Sequence, residues 1–168
     1  MIIPNNYDTR LIDLLGVKYV ITINYVNSNK LKLLFNEGES RVYENKNVFP
    51  RAFIVYSSVV AKTDIEASNL LNDKNIDLKN TAILDKNVKL DGGNGTSKVE
   101  VINYSANKII LNVETSKRGL LVLTDNYYPG WNATIDGNKS DILKTDYTFR
   151  GLIVPSGKHI IEFTFNIL

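Results

Sequence analysis

The chain has 168 residues, a formal net charge of +2 and no cysteine. That length buries one good core or two small subdomains. The near-balanced charge gives no electrostatic case for nucleic acid, and the missing cysteine removes disulfides, thiolate zinc sites and a cysteine nucleophile.

Nothing at Met1-Ile2-Ile3-Pro4-Asn5-Asn6 reads as a signal peptide. No apolar stretch approaches the roughly 20 residues that a membrane helix requires. Taken alone, these features read as a cytosolic soluble domain. Asp8 to Leu15 places Leu11, Ile12, Leu14 and Leu15 at helical spacing, with Gly16 as the C-terminal cap. Val17 to Ile23 is β-branched and alternating, which predicts a strand. Leu31 to Phe35 and Arg41 to Glu44 flank Asn36-Glu37-Gly38-Glu39 as a hairpin, and Arg51 to Ser57 predicts a further strand behind Pro50. Thr63-Asp64-Ile65-Glu66 has the spacing of a capping box, ahead of a helix with Ile65, Ala67, Leu70 and Leu71 on one face. Thr81 to Leu84 predicts a strand. The glycine-rich Asp91-Gly92-Gly93-Asn94-Gly95 predicts a linker between two subdomains, 1–95 and 96–168.

Beyond that linker the pattern is all β. Val99 and Val101 alternate, as do Ile109, Leu111 and Val113 after the turn Ser105-Ala106-Asn107. Leu120 to Leu123 is apolar throughout, as in a strand covered on both faces. Trp131, Ala133 and Ile135 lead to Asp136-Gly137, a type I′ hairpin signal. Tyr147, Phe149, Gly151 and Ile153 lead to a second hairpin at Pro155-Ser156-Gly157, followed by Ile161, Phe163 and Phe165 on one face. The predicted class is α+β: a small α/β N-terminal part with short helices, then an antiparallel, jelly-roll-like β-sandwich.

Four blocks carry a family resemblance. They are Asp13 to Thr22 around Val17-Lys18-Tyr19, Val42 to Phe53 around Tyr43-Glu44-Asn45 and Pro50-Arg51, Asn75 to Leu84, and Asp125-Asn126-Tyr127-Tyr128-Pro129-Gly130-Trp131 running on to Phe149-Arg150-Gly151 and Pro155-Ser156-Gly157-Lys158-His159. In this order they resemble the end of the YfhO family of bacterial polytopic membrane proteins. The resemblance implies a non-catalytic extracytoplasmic domain of a glycosyltransferase-C-like protein connected with envelope glycosylation. Its partners would be the membrane domain of the same full-length protein and an envelope glycan or glycolipid acceptor. The domain would then sit on the outer face of the bacterial cell membrane, cut from between membrane helices. The family's catalytic candidates are acidic residues of an upstream loop, so no catalytic residue carries over. An independent carbohydrate-binding or adhesive β-sandwich module is the competing class.

The residues themselves offer one ligand-binding candidate: Asp125, Asn126, Tyr127 and Tyr128. Aromatic faces stack on the C–H groups of sugar rings, while amide and carboxylate groups bind hydroxyls. The bland alternative makes Pro129-Gly130 a turn and Trp131 a core plug. Glu44 and Arg51 could reach a ligand, or could form local ion pairs. His159 lacks an evident orienting acid and nucleophile, which favours a structural role. Asp73, Asp77, Asp85 and Asp91 lack calcium-loop spacing, and the Gly92–Gly95 run lacks the Lys-Ser/Thr of a phosphate loop. No metal or cofactor is expected.

Overall fold

The computed structural model describes residue 7 and residues 9–166. The expectations for Met1 to Asn6, Asp8, Ile167 and Leu168 lie outside them. The chain forms two compact units, Met1–Pro50 and Arg51–Leu168.

The first unit sets one helix, α1 (Arg10–Leu14), on a three-stranded antiparallel sheet of β1 (Tyr19–Thr22), β2 (Leu31–Glu37) and β3 (Ser40–Asn45), in the order β1-β3-β2. Thr9 Oγ1 accepts from Leu11 N at 3.0 Å and caps the helix start. Gly16, at φ +71°, turns the chain out of it. Ile12 packs with Val20, Leu31 and Tyr43. Beneath them Asp13 Oδ1 accepts from Lys30 Nζ at 2.9 Å and from Asn45 Nδ2 at 2.8 Å. A carboxylate this well buried requires such partners, because desolvating an unpaired charge costs several kcal/mol, on the order of the net stability of a small unit.

The second unit contains β4 (Ala52–Val55), β5 (Ser57–Val60), α2 (Asp64–Asn72), β6 (Thr81–Leu84), β7 (Ser97–Tyr104), β8 (Lys108–Thr115), β9 (Gly119–Asn126), β10 (Trp131–Ile135), β11 (Asn138–Ser140), β12 (Leu143–Thr145), β13 (Phe149–Val154) and β14 (Gly157–Phe165). They form a five-stranded sheet, β11-β10-β14-β8-β7, and a six-stranded sheet, β4-β9-β13-β12-β6-β5. Ile109, Leu111, Val113, Ile161 and Phe163 of the first meet Ile54, Leu121, Leu123, Leu152 and Val154 of the second in one buried cluster. That is a sandwich core built from the inward faces of two sheets. The chain is therefore mainly antiparallel β. Its only parallel strand pair among the described residues is β5–β6, joined through α2.

Several local expectations change. The strand predicted over Arg51 to Ser57 is split at Tyr56, where the chain leaves β9 and joins β6. The two edge strands of the six-stranded sheet are thus consecutive along the chain, so that sheet curls strongly back on itself. Tyr56 fixes the corner: its hydroxyl lies 2.9 Å from Thr96 O and 2.9 Å from Thr115 Oγ1. Pro155-Ser156 is not a hairpin turn. β13 pairs with β9 and β14 with β8, so the turn is an arch between sheets. Leu152 and Val154 on one side of the arch then face Ile161 and Phe163 on the other. Tyr147 is not in a strand either: it shares a tight turn with Asp146, at φ +76° and +48°.

The segment from Asp91 to Gly95 lies inside the second unit, rather than between units. Asp91 N donates to Arg118 O at 3.2 Å, and Arg118 N returns a bond to Asp91 Oδ2 at 2.8 Å. Gly92 N donates to Tyr56 O at 3.1 Å. A glycine-rich sequence marks unusual backbone geometry, here at φ +71° and +63°, and that geometry is held by bonds.

Candidate functional site: an aromatic cleft floored by Arg150

β9 ends at Asn126 and β13 begins at Phe149, with a register shift between Phe149 and Arg150. This irregularity turns Arg150 inward, where only 3% of the residue remains exposed. Its guanidinium carbon lies 3.9 Å from the Trp131 ring centroid and 5.6 Å from that of Phe163. Nη2 lies 3.1 Å from Asp125 Oδ2. The contact is short enough for a hydrogen bond but poorly aligned for one, so it acts mainly as charge attraction. Nε and Nη1 are buried and have no acceptor. Burial pulls the Arg150 pKa down from its ordinary value, and the Asp125 carboxylate opposes the shift. The group still carries its charge at neutral pH.

Asp125 organises the rest. Its Oδ1 accepts from Tyr104 OH at 2.8 Å and from Arg51 Nη1 at 3.2 Å. Desolvation first, then the bond to the Asp125 carboxylate, pushes the Tyr104 phenol pKa up, so it stays a neutral donor. Two guanidiniums therefore share one carboxylate. Around them opens a cleft of about 720 Å³ walled by Tyr104, Tyr128, Trp131 and Phe165. Phe165 stands 5.4 Å from the Trp131 ring and 6.4 Å from that of Tyr128, continuing the aromatic wall. Gly130, at φ +99°, lets the backbone pass against Phe165, where a side chain would clash.

Of the four residues singled out from sequence, Asp125, Asn126 and Tyr128 line this cleft. Tyr127 instead lines a smaller one with Pro129 and Lys139. Trp131 joins both readings, since its ring abuts the sandwich core and also walls the cleft. Arg150, Tyr104 and Phe165 were missed. Their strands are distant in sequence, and the only signal was the Phe149-Arg150-Gly151 block.

Glu44 pairs with Lys46 at 2.6 Å, and Arg51 pairs with Asp125. His159 does have an orienting acid, with Nδ1 2.7 Å from Asp136 Oδ2. The bond from His159, reinforced by Ile160 N, holds the Asp136 carboxyl below its usual range. The other ring nitrogen faces Ser156 O, a carbonyl, at 3.4 Å. Among the described residues no group of three or more His, Asp or Glu side chains is placed to hold a metal ion.

No helix among the described residues is long and apolar enough to cross a membrane. No curated protein and no solved structure gives a significant match to the chain. Residues 93–167 match the family described as bacterial membrane protein YfhO, a match that takes in Tyr104, Asp125, Trp131, Arg150 and Phe165. The cleft is thus built almost wholly from the matched region, and that region of the chain is a YfhO-family segment.

Proposed function

We propose that the chain is a non-catalytic, extracytoplasmic part of a YfhO-family membrane protein, and that its cleft holds a glycan or the sugar portion of a glycolipid acceptor during envelope glycosylation. The observation that carries this reading is a charged guanidinium, stacked on Trp131, among the residues that line an aromatic-walled cleft. Arg150 supplies positive charge, and the Tyr104 oxygen accepts from a sugar hydroxyl while its own hydrogen stays on Asp125. Tyr128 and Trp131 offer π-faces to sugar C–H groups. The cleft is broad and open, so the affinity is weak unless the membrane domain of the same polypeptide adds contacts.

The non-catalytic reading is supported by what surrounds the candidate groups among the described residues. His159 is engaged with Asp136 and faces the Ser156 carbonyl, and the cleft's one carboxylate is held by two arginines. On this reading the chain positions ligand without transforming it.

Trp131 is the only tryptophan, so its fluorescence reports the cleft directly. Titration with envelope oligosaccharides shifts that emission in the native chain. The shift is lost in Arg150→Met. Unchanged emission at millimolar ligand would remove the binding role, and glycosyl transfer by the purified chain would remove the non-catalytic one.

A further inference from the structure

A separate chemistry is built into the first unit, and it does not depend on the ligand reading. Asp13, Lys30 and Asn45 are each more than nine-tenths buried there. Lys30 immediately precedes β2, Asn45 ends β3, and Leu31 is the strand partner of Asn45. An amine and an amide are therefore neighbours across adjacent strands. Both donate to one oxygen: Lys30 Nζ lies 2.9 Å from Asp13 Oδ1, and Asn45 Nδ2 lies 2.8 Å from it. The apolar cluster adjoins them along the chain, since Ile12 precedes Asp13 and Leu31 follows Lys30.

An ion pair alone needs only the first of these contacts. It does not account for the amide, which three bonds hold in one orientation. Asn45 Nδ2 also donates to Val17 O at 3.0 Å, and Asn45 Oδ1 accepts from Asn47 N at 3.0 Å. The amide carbonyl is thus polarised by a fixed N–H, while its nitrogen is bonded to a carboxylate. Lys30 Nζ is steadied by a further bond to Thr9 O at 2.6 Å. Acyl transfer to an amine needs a held nucleophile, a proton carrier that touches both nucleophile and leaving group, and a donor where negative charge develops on oxygen. All three are present, and burial on one shared oxygen supplies the proximity.

We propose that Lys30 and Asn45 join in an intramolecular isopeptide bond, with Asp13 as the catalytic acid and base. A proton passes from Lys30 Nζ to Asp13 Oδ1 along the bond between them, which leaves a neutral amine. Nζ then attacks Asn45 Cγ, and the Asn47 N–H holds the oxyanion that forms on Oδ1. Asp13 gives its proton to Nδ2 and takes the surplus one from Nζ. The Cγ–Nδ2 bond breaks, its electron pair leaves with nitrogen, and ammonia departs. The products are a Lys30–Asn45 amide, a protonated Asp13 and free ammonia, so no oxidant or cofactor enters. The reaction removes a buried charge pair and ties β2 to β3. In a unit as small as Met1–Pro50, within a chain that lacks cysteine, this staple does what a disulfide does elsewhere.

The test is intact-mass spectrometry of the purified full chain, and it needs no variant to be decisive. The native chain should be lighter than its sequence by one ammonia. Trypsin should leave Lys30 uncut and release Tyr19–Lys32 joined to Val42–Lys46. Lys30→Arg keeps a cation on Asp13 but cannot form the bond. It should show the full sequence mass and melt at a lower temperature than the native chain. Asp13→Asn keeps the shape without the proton carrier, and it too should show the full mass. A native chain at its full mass overturns the proposal and leaves an ion pair only. So does a loss of ammonia that persists in Lys30→Arg, or one that maps to Asn94-Gly95, where succinimide formation expels the same molecule. Linked peptides from Asp13→Asn would overturn the catalytic role of Asp13.

Discussion

The Arg150 guanidinium lies over the Trp131 indole, its carbon 3.9 Å from the ring centroid. This stack replaces part of the hydration that a buried cation forfeits, and it joins the sandwich core to the cleft. A double-mutant cycle isolates it. Trp131→Leu, Arg150→Met and the double variant, unfolded in urea and followed by circular dichroism, should give a coupling of about 1–2 kcal/mol. A coupling indistinguishable from zero would mean that the ring and the cation contribute separately.

Asp146 gives the second unit an unusual dependence on pH. Its Oδ1 accepts from Ile83 N at 2.7 Å, and its own N donates to Ile83 O at 2.8 Å. These bonds hold the turn beside β6. Burial pushes its pKa up to about 7, against the ordinary value of 3.8, and the Ile83 N–H only partly opposes this. A raised carboxyl pKa means that the folded state keeps its proton while the unfolded state has lost it. Stability from this group is therefore greatest below about pH 4 and falls as pH rises to 7, by about 4 kcal/mol in all. Asp146→Asn keeps the acceptor and tolerates the positive φ. Its melting temperature should exceed the native one at pH 8, with a flatter profile between pH 5 and 8. Parallel profiles for the two proteins would show that Asp146 is not the titrating group.

Gly151 sits opposite Leu143 in the β12–β13 pair, and a Cβ there would fall on Thr145 Oγ1. Thr145 is fully buried and has no room to withdraw. Gly151→Ala should destabilise by about 1–3 kcal/mol, the usual cost of overpacking. Adding Thr145→Ala should recover part of that loss in a thermal melt read through Trp131. Unaltered stability in Gly151→Ala would contradict the close packing.

Asp13 and Lys30 form the buried pair of the first unit, with Asn45 as the carboxylate's second donor. Asp13→Leu strands the lysine and should cost about 3–5 kcal/mol, whereas the double change with Lys30→Met should cost less. Equal losses in the two variants, measured by urea denaturation, would show that the pair is not energetically coupled.

The legible parts of the fold were those set by local chemistry. Asp136 and Gly137 both take positive φ, 52° and 80°, as the Asp-Gly pair predicted. Leu120 to Leu123 are indeed buried on both faces of a central strand. The Thr63 cap forms, although Glu66 returns its bond to Lys62 N rather than to the cap residue. Ile65, by contrast, points outward, because the short α2 turns only Ala67 and Leu71 inward.

What escaped sequence reading was long-range. Alternation alone cannot say whether Val154 and Ile161 lie on one sheet or face each other across two. Nor can it reveal that Tyr104 and Arg150, each ordinary in its own strand, converge on the Asp125 carboxylate. Asp125 was legible as a polar neighbour of aromatics, but its partners depended on strand order.

The most direct test of the cleft is nuclear magnetic resonance titration of the isotopically labelled chain with envelope oligosaccharides, following the Arg150 Nε–H and Trp131 Nε1–H signals. The account predicts that both shift together with the backbone amides of Asn126 and Tyr128, while the Tyr127 ring signals stay nearly still. Signals that remain fixed at millimolar ligand, or shifts that gather on the second cleft around His159 instead, would contradict it.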